Sequence, residues 1–598
     1  MTGLSPSETL RLARALEKTL PADTRKLAVL ASFNADLLSP YLMVEAQSQG
    51  LPLRPWNGPF GQLEQMVMQD SVLWEQDPKV LWIAMRVQDM DPALLHRSQA
   101  MAPQELKGRL QEITGRLVEL ARSARQRSRA CIFVSDLELA ELRQARPFDV
   151  SNPEGLFHQI ASANLALARA LAELADVHLF DWSGAIAECG ARTFADPKLW
   201  YLARIPFAAG NLPWLASCLV RAIRGALHPS VKALVLDLDN TLWSGVLGED
   251  GPDGIKLGGD YPGNIFRDFQ EELLGYRERG ILLAIASKNE AALVETTLRT
   301  HPDMVLRPEH FTCIRANWEP KPSNVRAIAD ALNLGLDSIL FIDDNPAERA
   351  QMAAELPMVR ILELPPEPLG YLQALRDCPL LDQPRVSLDD LQRAERYREN
   401  ATREAFRQEI QSVDHYLEQL GMVAEVGLGS PVELDRVHQL ISKTNQFNLT
   451  TRRHGRDDVR AMAQLPGFRV AWLRLSDRFG DLGIVCVGIL KDLGSGLIEI
   501  DTLLMSCRVM GRSVEDAFLA YLATLAQAQK GSRLRGVLIR TAKNTPVFDF
   551  YESRGFAPAA SGQQGVHYFE KAIEPGAFPW PCAIRQPSGF RDMTHENS

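Results

Sequence analysis

The stretch LVLDLDNTLW, Leu234 to Trp243, decides how this chain is read. Its apolar first half has the composition of a buried strand, and two carboxylates, Asp237 and Asp239, stand at its end. Open α/β sheets bind ligands in the crevice beyond the C-terminal ends of their strands, so both aspartates are expected there. Carboxylates this close repel unless a cation or a shared proton relieves them. A site of oxygen ligands suits Mg2+.

Working outward, three more features fit the same chemistry. Ser287, at the end of the apolar run ILLAIAS, offers a hydroxyl to a phosphoryl oxygen. Lys321, in NWEPKPSN, can neutralise phosphate charge. Asp343 and Asp344 end the run SILFIDD and can complete a metal site. An aspartate that attacks phosphorus forms an aspartyl-phosphate and splits one hard transfer into two steps. Mg2+ and Lys321 would stabilise the charge in flight. Asp237 and Ser287 are 50 residues apart, and Ser287 and Lys321 are 34 apart, which leaves no room for a large cap domain. An open site suits a substrate tethered to a macromolecule better than a free metabolite that must be enclosed.

The 598 residues exceed a single core, and three blocks emerge. Residues 1–228 alternate apolar runs (KLAVLAS, VLWIAM, CIFVS, VHLFD) with helical stretches at 105–125 and 156–174, which indicates an α/β domain with a largely parallel sheet. Residues 229–385 repeat that pattern around LVLDLDNTLW. Residues 386–575 open on a charged helix at 391–420 and continue with the runs FRVAWLRL, GIVCVGIL and GLIEIDTLLM and a helix at 513–528. Alternation is clearest in this block, and an antiparallel α+β domain is expected. Residues 576–598 read as a loose tail. The formal charge of −10 argues against a general nucleic-acid binder. No apolar run is long enough to span a membrane, and MTGLSPSETLRLARALEKTL reads as a capped amphipathic helix, not a signal peptide. The eight cysteines are scattered without metal-ligand spacing, so reduced thiols in the cytoplasm are expected.

The order DxDxT … S … K … DD resembles the haloacid dehalogenase (HAD) superfamily. That resemblance implies Asp237 as nucleophile and Asp239 as general acid/base. It also implies Mg2+ on Asp237, Asp239 and Asp343 or Asp344, and phosphate on Thr241, Ser287 and Lys321. DLDNTLWSGVLGEDG and FIDDNPAER are similar to the FkbH-like proteins of HAD subfamily IIIC, and SKTNQFNLTTRR, SDRFGDLGIV and MSCRVMGRSVE agree. The family implies an N-terminal domain similar to SGNH hydrolases, a HAD-like Rossmannoid domain with a minimal cap, and a domain similar to GNAT acyltransferases. It further implies removal of phosphate from a glyceryl unit of 1,3-bisphosphoglycerate and loading of that unit on an acyl carrier protein for polyketide-type biosynthesis. Members that load glyceryl carry a cysteine between the two aspartates, where this sequence has Leu238. Cys507, beside Arg508 and ahead of a helix, is the alternative thiol.

Arg508, Gly511 and Ser513 resemble the GNAT pyrophosphate loop, a loop opening a helix whose N–H groups face a phosphate chain. Asn544 and Tyr551 match the second half of that pattern, with the tyrosine as general acid. One loop of this kind can hold CoA or the phosphopantetheine arm of a carrier protein. In the first block Ser32 stands in ASFN and not GDS, and Asp196-Pro-Lys-Leu199 has leucine where the SGNH histidine belongs. A serine without its base is a poor nucleophile, so no hydrolase is expected there. His158 and His178 read as structural or surface residues. Two other readings stay open: an acyl-CoA acyltransferase with a regulatory HAD domain, and a docking scaffold for carrier proteins. Lys443, Arg452, Arg453 and Arg456 form the densest basic candidate for such docking.

Overall fold

Apolar runs that break off into polar loops become parallel strands throughout the first 390 residues. In the computed structural model, residues 4–587 are described, apart from 70, 140–145, 229–230, 333, 384–385, 387–390, 392–402, 404–405, 408–409, 411, 445, 542–543 and 560–564. Contacts divide the chain into two units, Met1–Asp390 and Leu391–Ser598.

The first unit holds two five-stranded sheets. One consists of β1 (Lys26–Ala31), β2 (Arg54–Asn57), β3 (Val80–Ala84), β4 (Cys131–Ser135) and β5 (Val177–Phe180), in the order β2-β1-β3-β4-β5 and parallel throughout. Alternate residues along it feed two cores. Leu81, Ile83, Ile132 and Val134 meet the helices Pro103–Arg127 and Leu156–Ala172, while Val29, Trp82 and Phe133 meet the helix Leu212–Leu227. β2 was not expected from sequence. It reads RPWN, and a proline, which cannot donate to a ladder, is tolerated at the edge where β2 lies.

Just past β4, Asp136 is buried and accepts a hydrogen bond from the Ser183 N–H at 2.9 Å. Burial pushes its carboxyl up to about 6 despite that bond. The folded state therefore holds this proton more tightly than the unfolded chain, and the resulting stability is lost as pH rises through about 4 to 6. Asp136→Asn keeps an acceptor for Ser183 and removes the buried charge. It is expected to raise stability by about 1–3 kcal/mol at pH 7.5 and by nearly nothing at pH 4, which denaturant titrations at both pH values will check.

The second sheet of this unit consists of β6 (Ala233–Leu236), β7 (Leu282–Ser287), β8 (Phe311–Ala316), β9 (Ile339–Asp343) and β10 (Arg360–Glu363), ordered β10-β9-β6-β7-β8 and again parallel. From β6 the chain adds β7 and β8 on one side and then crosses back to add β9 and β10 on the other. The C-terminal end of β6 is therefore the switch point where such sheets open a crevice. Between Asp237 and Ser287 lie a four-residue helix, Leu247–Asp250, and the helix Gly263–Glu278, whose Phe266, Phe269 and Leu273 enter the core. The described residues hold no cap domain there. The expected boundary near residue 228 is bridged: the Arg221 guanidinium donates to both Asp382 carboxylate oxygens at 2.5 and 2.7 Å and to the Arg376 carbonyl at 2.6 Å.

The second unit is one mixed sheet. Its strands are β11 (Met422–Leu428), β12 (Phe468–Asp477), β13 (Gly480–Asp492), β14 (Leu497–Met505), β15 (Arg533–Ile539), β16 (Ala557–Ala559), β17 (Val566–Ala572) and β18 (Ile584–Arg585), ordered β16-β17-β15-β14-β13-β12-β11-β18. β11 to β14 form the expected antiparallel meander. β15 departs from it and runs parallel to β14, because the helix Val514–Ala528 carries the chain back across the sheet. The segment expected as a tail from residue 576 also departs from expectation: buried Ile584 and its neighbour Arg585 pair with Met422 and Val423 as an edge strand. Most of the charged helix expected at 391–420 lies outside the described residues; Val413–Gln419 is helical.

β14 and β15 pair only as far as Ile500 and Gly536. Beyond that point Phe447 to Leu449 lie between them. Leu449 N donates to Leu503 O (3.0 Å) and Met505 N to Phe447 O (3.0 Å) on the β14 side, and Ile539 N donates to Leu449 O (2.8 Å) on the β15 side. Diverging strands would otherwise leave buried amides unpaired.

Candidate active site

β6 carries Asp237 to its buried position, and the Asp237 N–H extends the ladder to Ile342 O at 2.9 Å. β9 delivers Asp343, fully buried, and Asp344 beside it. Lys321 opens the helix Lys321–Ala331 and turns inward, its Nζ 3.0 Å from Asp237 Oδ2 and 2.6 Å from Asp343 Oδ2. Thr241, also buried, donates its hydroxyl to Asp344 Oδ1 at 3.2 Å, and its Oγ1 accepts from the Asp344 N–H at 3.2 Å. One oxygen from each of Asp237, Asp343 and Asp344 lies within 4.8 Å of the others, the only such acidic group among the described residues.

Three carboxylates against one ammonium leave an excess of two negative charges in a buried space. Burial, with the Asp343 charge adding to it, pushes Asp237 up to about 6 against the opposing pull of Lys321. Burial raises Asp343 and Asp344 as well. Burial works against the Lys321 charge, but Asp237 and Asp343 outweigh it and hold the ammonium above its ordinary value. Carboxylates that ionise reluctantly because they are buried, and buried together, are suited to a divalent cation, whose charge reverses that penalty. The donor set is all oxygen, as Mg2+ requires.

The Asp239 carboxyl, which the resemblance expects on the metal with Asp237 and Asp343 or Asp344, lies outside this trio. Its Oδ1 accepts from Trp243 Nε1 (3.0 Å) and Leu247 N (2.9 Å), and its Oδ2 accepts from Asn289 Nδ2 (2.9 Å). The diversion is local: Leu238 is fully buried, and Asn240 takes φ 54°, a left-handed conformation that asparagine tolerates. The Asn289 amide also donates to Ser287 Oγ at 3.1 Å, which ties the candidate proton carrier to the candidate phosphate ligand. Asn289 and Trp243 were not singled out from sequence, although Asn289 stands two residues past Ser287 and Trp243 closes the quoted LVLDLDNTLW, four past Asp239. Arg349 was missed too. Its guanidinium donates to the Asp343 and Asp344 carbonyls, each at 2.7 Å, and fixes the loop.

The other candidate residues do not assemble this way. Arg508 donates to Ser506 Oγ at 3.2 Å, Gly511 has φ 74°, and Ser513 stands at φ 59° ahead of the helix Val514–Ala528. Asn544 and Tyr551 serve the interior instead, a correction to their expected place in a ligand site. The Asn544 amide donates to Asn448 O (2.8 Å) and Ile539 O (3.0 Å), clamping the segment that separates β14 and β15. The Tyr551 ring lies on Gly536, where a Cβ would sit 2.2 Å from it, and stacks on Phe569; burial raises the phenol well above its ordinary value. The side chains of Cys507 and Lys443 lie outside the described residues. Arg452 pairs with Asp501 and Arg453 donates to the Ile441 carbonyl, so neither is simply a solvated docking charge.

In the first sheet Ser32 donates to Asp89 Oδ2 at 2.7 Å and accepts from Arg86 N at 3.0 Å. Asp196 caps a helix through Lys198 N and Leu199 N. His158 bonds the Val150 carbonyl, and His178 stacks on Phe133. No helix among the described residues is long and apolar enough to cross a membrane.

No protein-family profile matches the sequence, and neither does any curated protein. Among solved structures, the N-terminal part of protein BF1531 from Bacteroides fragilis, containing a phosphatase domain complexed with Mg, is similar at 25% identity and a TM-score of 0.55. The match covers 64% of this chain and 100% of that one. The Escherichia coli ribosomal-protein-S18-alanine N-acetyltransferase (11% identity, TM-score 0.20, 25% of this chain and 94% of that one) is also similar. So is the GNAT domain of S. lividans PAT (16% identity, TM-score 0.21, 25% and 90%). These last two likenesses are too slight to bear on activity.

Proposed function

We propose that this chain is a Mg2+-dependent phosphoryl-transfer enzyme of HAD type, close to the FkbH-like group, that removes phosphate from a phosphorylated acyl unit and passes the acyl group to the thiol of an acyl carrier protein. The Asp237–Asp343–Asp344 trio, with Lys321 buried between the first two at the end of β6, carries this reading. The Mg-bound phosphatase domain of the Bacteroides protein supports it.

A bound Mg2+ ion would polarise the phosphoryl group and offset its charge. An Asp237 oxygen attacks phosphorus, the P–O bond to the substrate breaks, and the departing alkoxide takes a proton from Asp239. Water then attacks the aspartyl-phosphate and gives a proton to Asp239; inorganic phosphate leaves and Asp237 is restored. Thr241 and Ser287 hold phosphoryl oxygens, and Asn289 keeps the Asp239 carboxyl facing them.

The two phosphates of a compound such as 1,3-bisphosphoglycerate are not equivalent. Attack on phosphorus at the acyl phosphate leaves a free carboxylate and discards its activation. Asp237 therefore acts on the phosphate ester. A thiolate takes the acyl group by attacking the carbonyl carbon, with the acyl-bound phosphate as leaving group. Leu238 is fully buried and provides no thiol, so the carrier arm or Cys507 supplies it. The SGNH-like first domain (1–228) serves as a scaffold, which the pairing of Ser32 with Asp89 and not a histidine favours. The GNAT-like block (386–575) docks CoA-type or phosphopantetheine chains through Arg508 to Ser513 without acyltransferase catalysis of its own, a role favoured by the interior placement of Asn544 and Tyr551. A cytoplasmic pathway fits this chemistry.

Protein incubated with 1,3-bisphosphoglycerate and a carrier protein is expected to release phosphate and add a glyceryl mass to the carrier in intact-mass spectra. EDTA is expected to stop release of the ester phosphate and Mg2+ to restore it. Ester phosphate release that persists in EDTA sinks the reading.

A further inference from the structure

Lys288 and Glu348 form an ion pair that none of the steps above uses. Lys288 directly follows β7 and Ser287. Glu348 stands in the first turn of the helix Pro346–Glu355, which follows β9. In the sheet β6 lies between β7 and β9. Adjacent strands are about 4.8 Å apart, so the ends of β7 and β9 stand about 10 Å apart with the end of β6 between them. Lys288 Nζ reaches Glu348 Oε1 at 2.6 Å. The pair therefore spans the C-terminal end of β6, across the approach to Asp237. The Lys288 side chain is 39% exposed and that of Glu348 is 13% exposed. The second Glu348 oxygen, Oε2, is buried and accepts no hydrogen bond among the described atoms.

Charge shows what such a pair can do. Lys321, the expected phosphate-neutralising cation, is 4% exposed and already lies between Asp237 and Asp343. Its charge is committed to those carboxylates. With one divalent cation on the trio the site is roughly neutral, and an arriving phosphate dianion still lacks a positive partner. Lys288 is the nearest lysine in sequence to Ser287, and it sits at the mouth. The Lys288 end of the pair is 39% exposed, so water screens its attraction to the single Glu348 oxygen that it meets, whereas a phosphate dianion offers several charge-assisted hydrogen bonds.

We infer that Lys288 is a second phosphate-binding residue, latched by Glu348 across the nucleophile and transferred to the phosphoryl oxygens when a phosphate monoester enters. The inference rests on the proposed phosphoryl-transfer function and adds to it a second residue for the binding step. Dianionic monoesters exchange for the Glu348 carboxylate, and singly charged diesters do so poorly.

The test is calorimetric titration of the full chain with inorganic phosphate in the presence of Mg2+. Thermal melts monitor folding, and p-nitrophenyl phosphate kinetics run alongside. Lys288→Met is expected to weaken phosphate binding tenfold or more and to raise KM far more than it lowers kcat. Glu348→Gln opens the latch and is expected to tighten phosphate binding severalfold. Lys288→Arg is expected to restore most of the affinity. If Lys288→Met binds phosphate within twofold of the parent, the inference is overturned. It is overturned equally if Glu348→Gln weakens binding as much as Lys288→Met, since the pair is then a brace, or if the parent binds no phosphate. A parent protein that binds phosphate through Lys288 but hydrolyses no ester keeps the inference and removes the proposed function. Hydrolysis with an unchanged KM in Lys288→Met does the reverse.

Discussion

Asp237→Asn is expected to reduce phosphate release by on the order of 10⁴-fold or more while the protein stays folded. An amide cannot attack phosphorus, yet it has the shape of the carboxylate and keeps an oxygen for Lys321, which lies 3.0 Å from Asp237 Oδ2. The replacement also removes one of the negative charges that oppose one another at this site. Burial already disfavours the ionised form of Asp237. The melting temperature should therefore hold or rise as activity disappears. That combination separates the loss of a nucleophile from the loss of a fold. Single-turnover phosphate release and thermal melts of the same preparation will show both. Full turnover in the variant means that another group is the nucleophile.

Lys321→Met is expected to be the most destabilising change at the site. The ammonium is almost wholly buried and bridges two buried carboxylates. Breaking a buried pair by removing one partner costs about 3–5 kcal/mol when the remaining charge cannot escape. Here the remaining carboxylates can take up protons, so the loss should be small at pH 5 and grow as pH rises past the range in which Asp237 titrates. The sign follows from linkage: the variant's folded state holds protons that its unfolded state has released, so stability falls with rising pH. Millimolar Mg2+ should recover part of the lost melting temperature, because a divalent cation supplies the missing positive charge. Lys321→Arg should not substitute, since the planar guanidinium does not fit a pocket shaped for a point charge. A Lys321→Met protein as stable at pH 8 as its parent contradicts this account.

Much of the fold was legible because strands buried on both faces appear as uninterrupted apolar runs. CIFVS became β4 to the residue, and ILLAIAS, SILFIDD and FRVAWLRL each locate a strand to within about two residues. Most of the strands that escaped notice are part-exposed or lie at a sheet edge; β11, β15, β16 and β17 escaped as well, and β15, RLRGVLI, is an inner strand whose apolar run is interrupted by arginine and glycine. β2 is half-exposed and contains proline. β8 and β10 are largely part-exposed or exposed at the sheet edges, and β18 has two residues. The site was legible to the same extent. Asp237, Lys321, Asp343 and Asp344 follow from charge at strand ends, and the structure brings them together. The diversion of Asp239 was hidden, because it depends on a left-handed turn at Asn240 and on three donors, two from the loop that follows and one, Asn289, from beyond β7. Tyr551 and Asn544 were read by motif spacing, which cannot tell a side chain facing a ligand from one facing the core.

The wedge formed by Phe447 to Leu449 also bears on how the second unit comes apart. Its amides and carbonyls serve β14 on one side and β15 on the other, and Asn544 fastens it from a loop 96 residues further along the chain. Neither half of that unit can open while the other stays intact without stranding buried backbone groups. The helix that precedes the wedge, Pro431–Lys443, and the strands that follow it should thus behave as a single cooperative foldon. A cut placed anywhere between residues 412 and 540 would then leave two fragments that associate or unfold together, and no smaller piece of this unit is a domain in its own right.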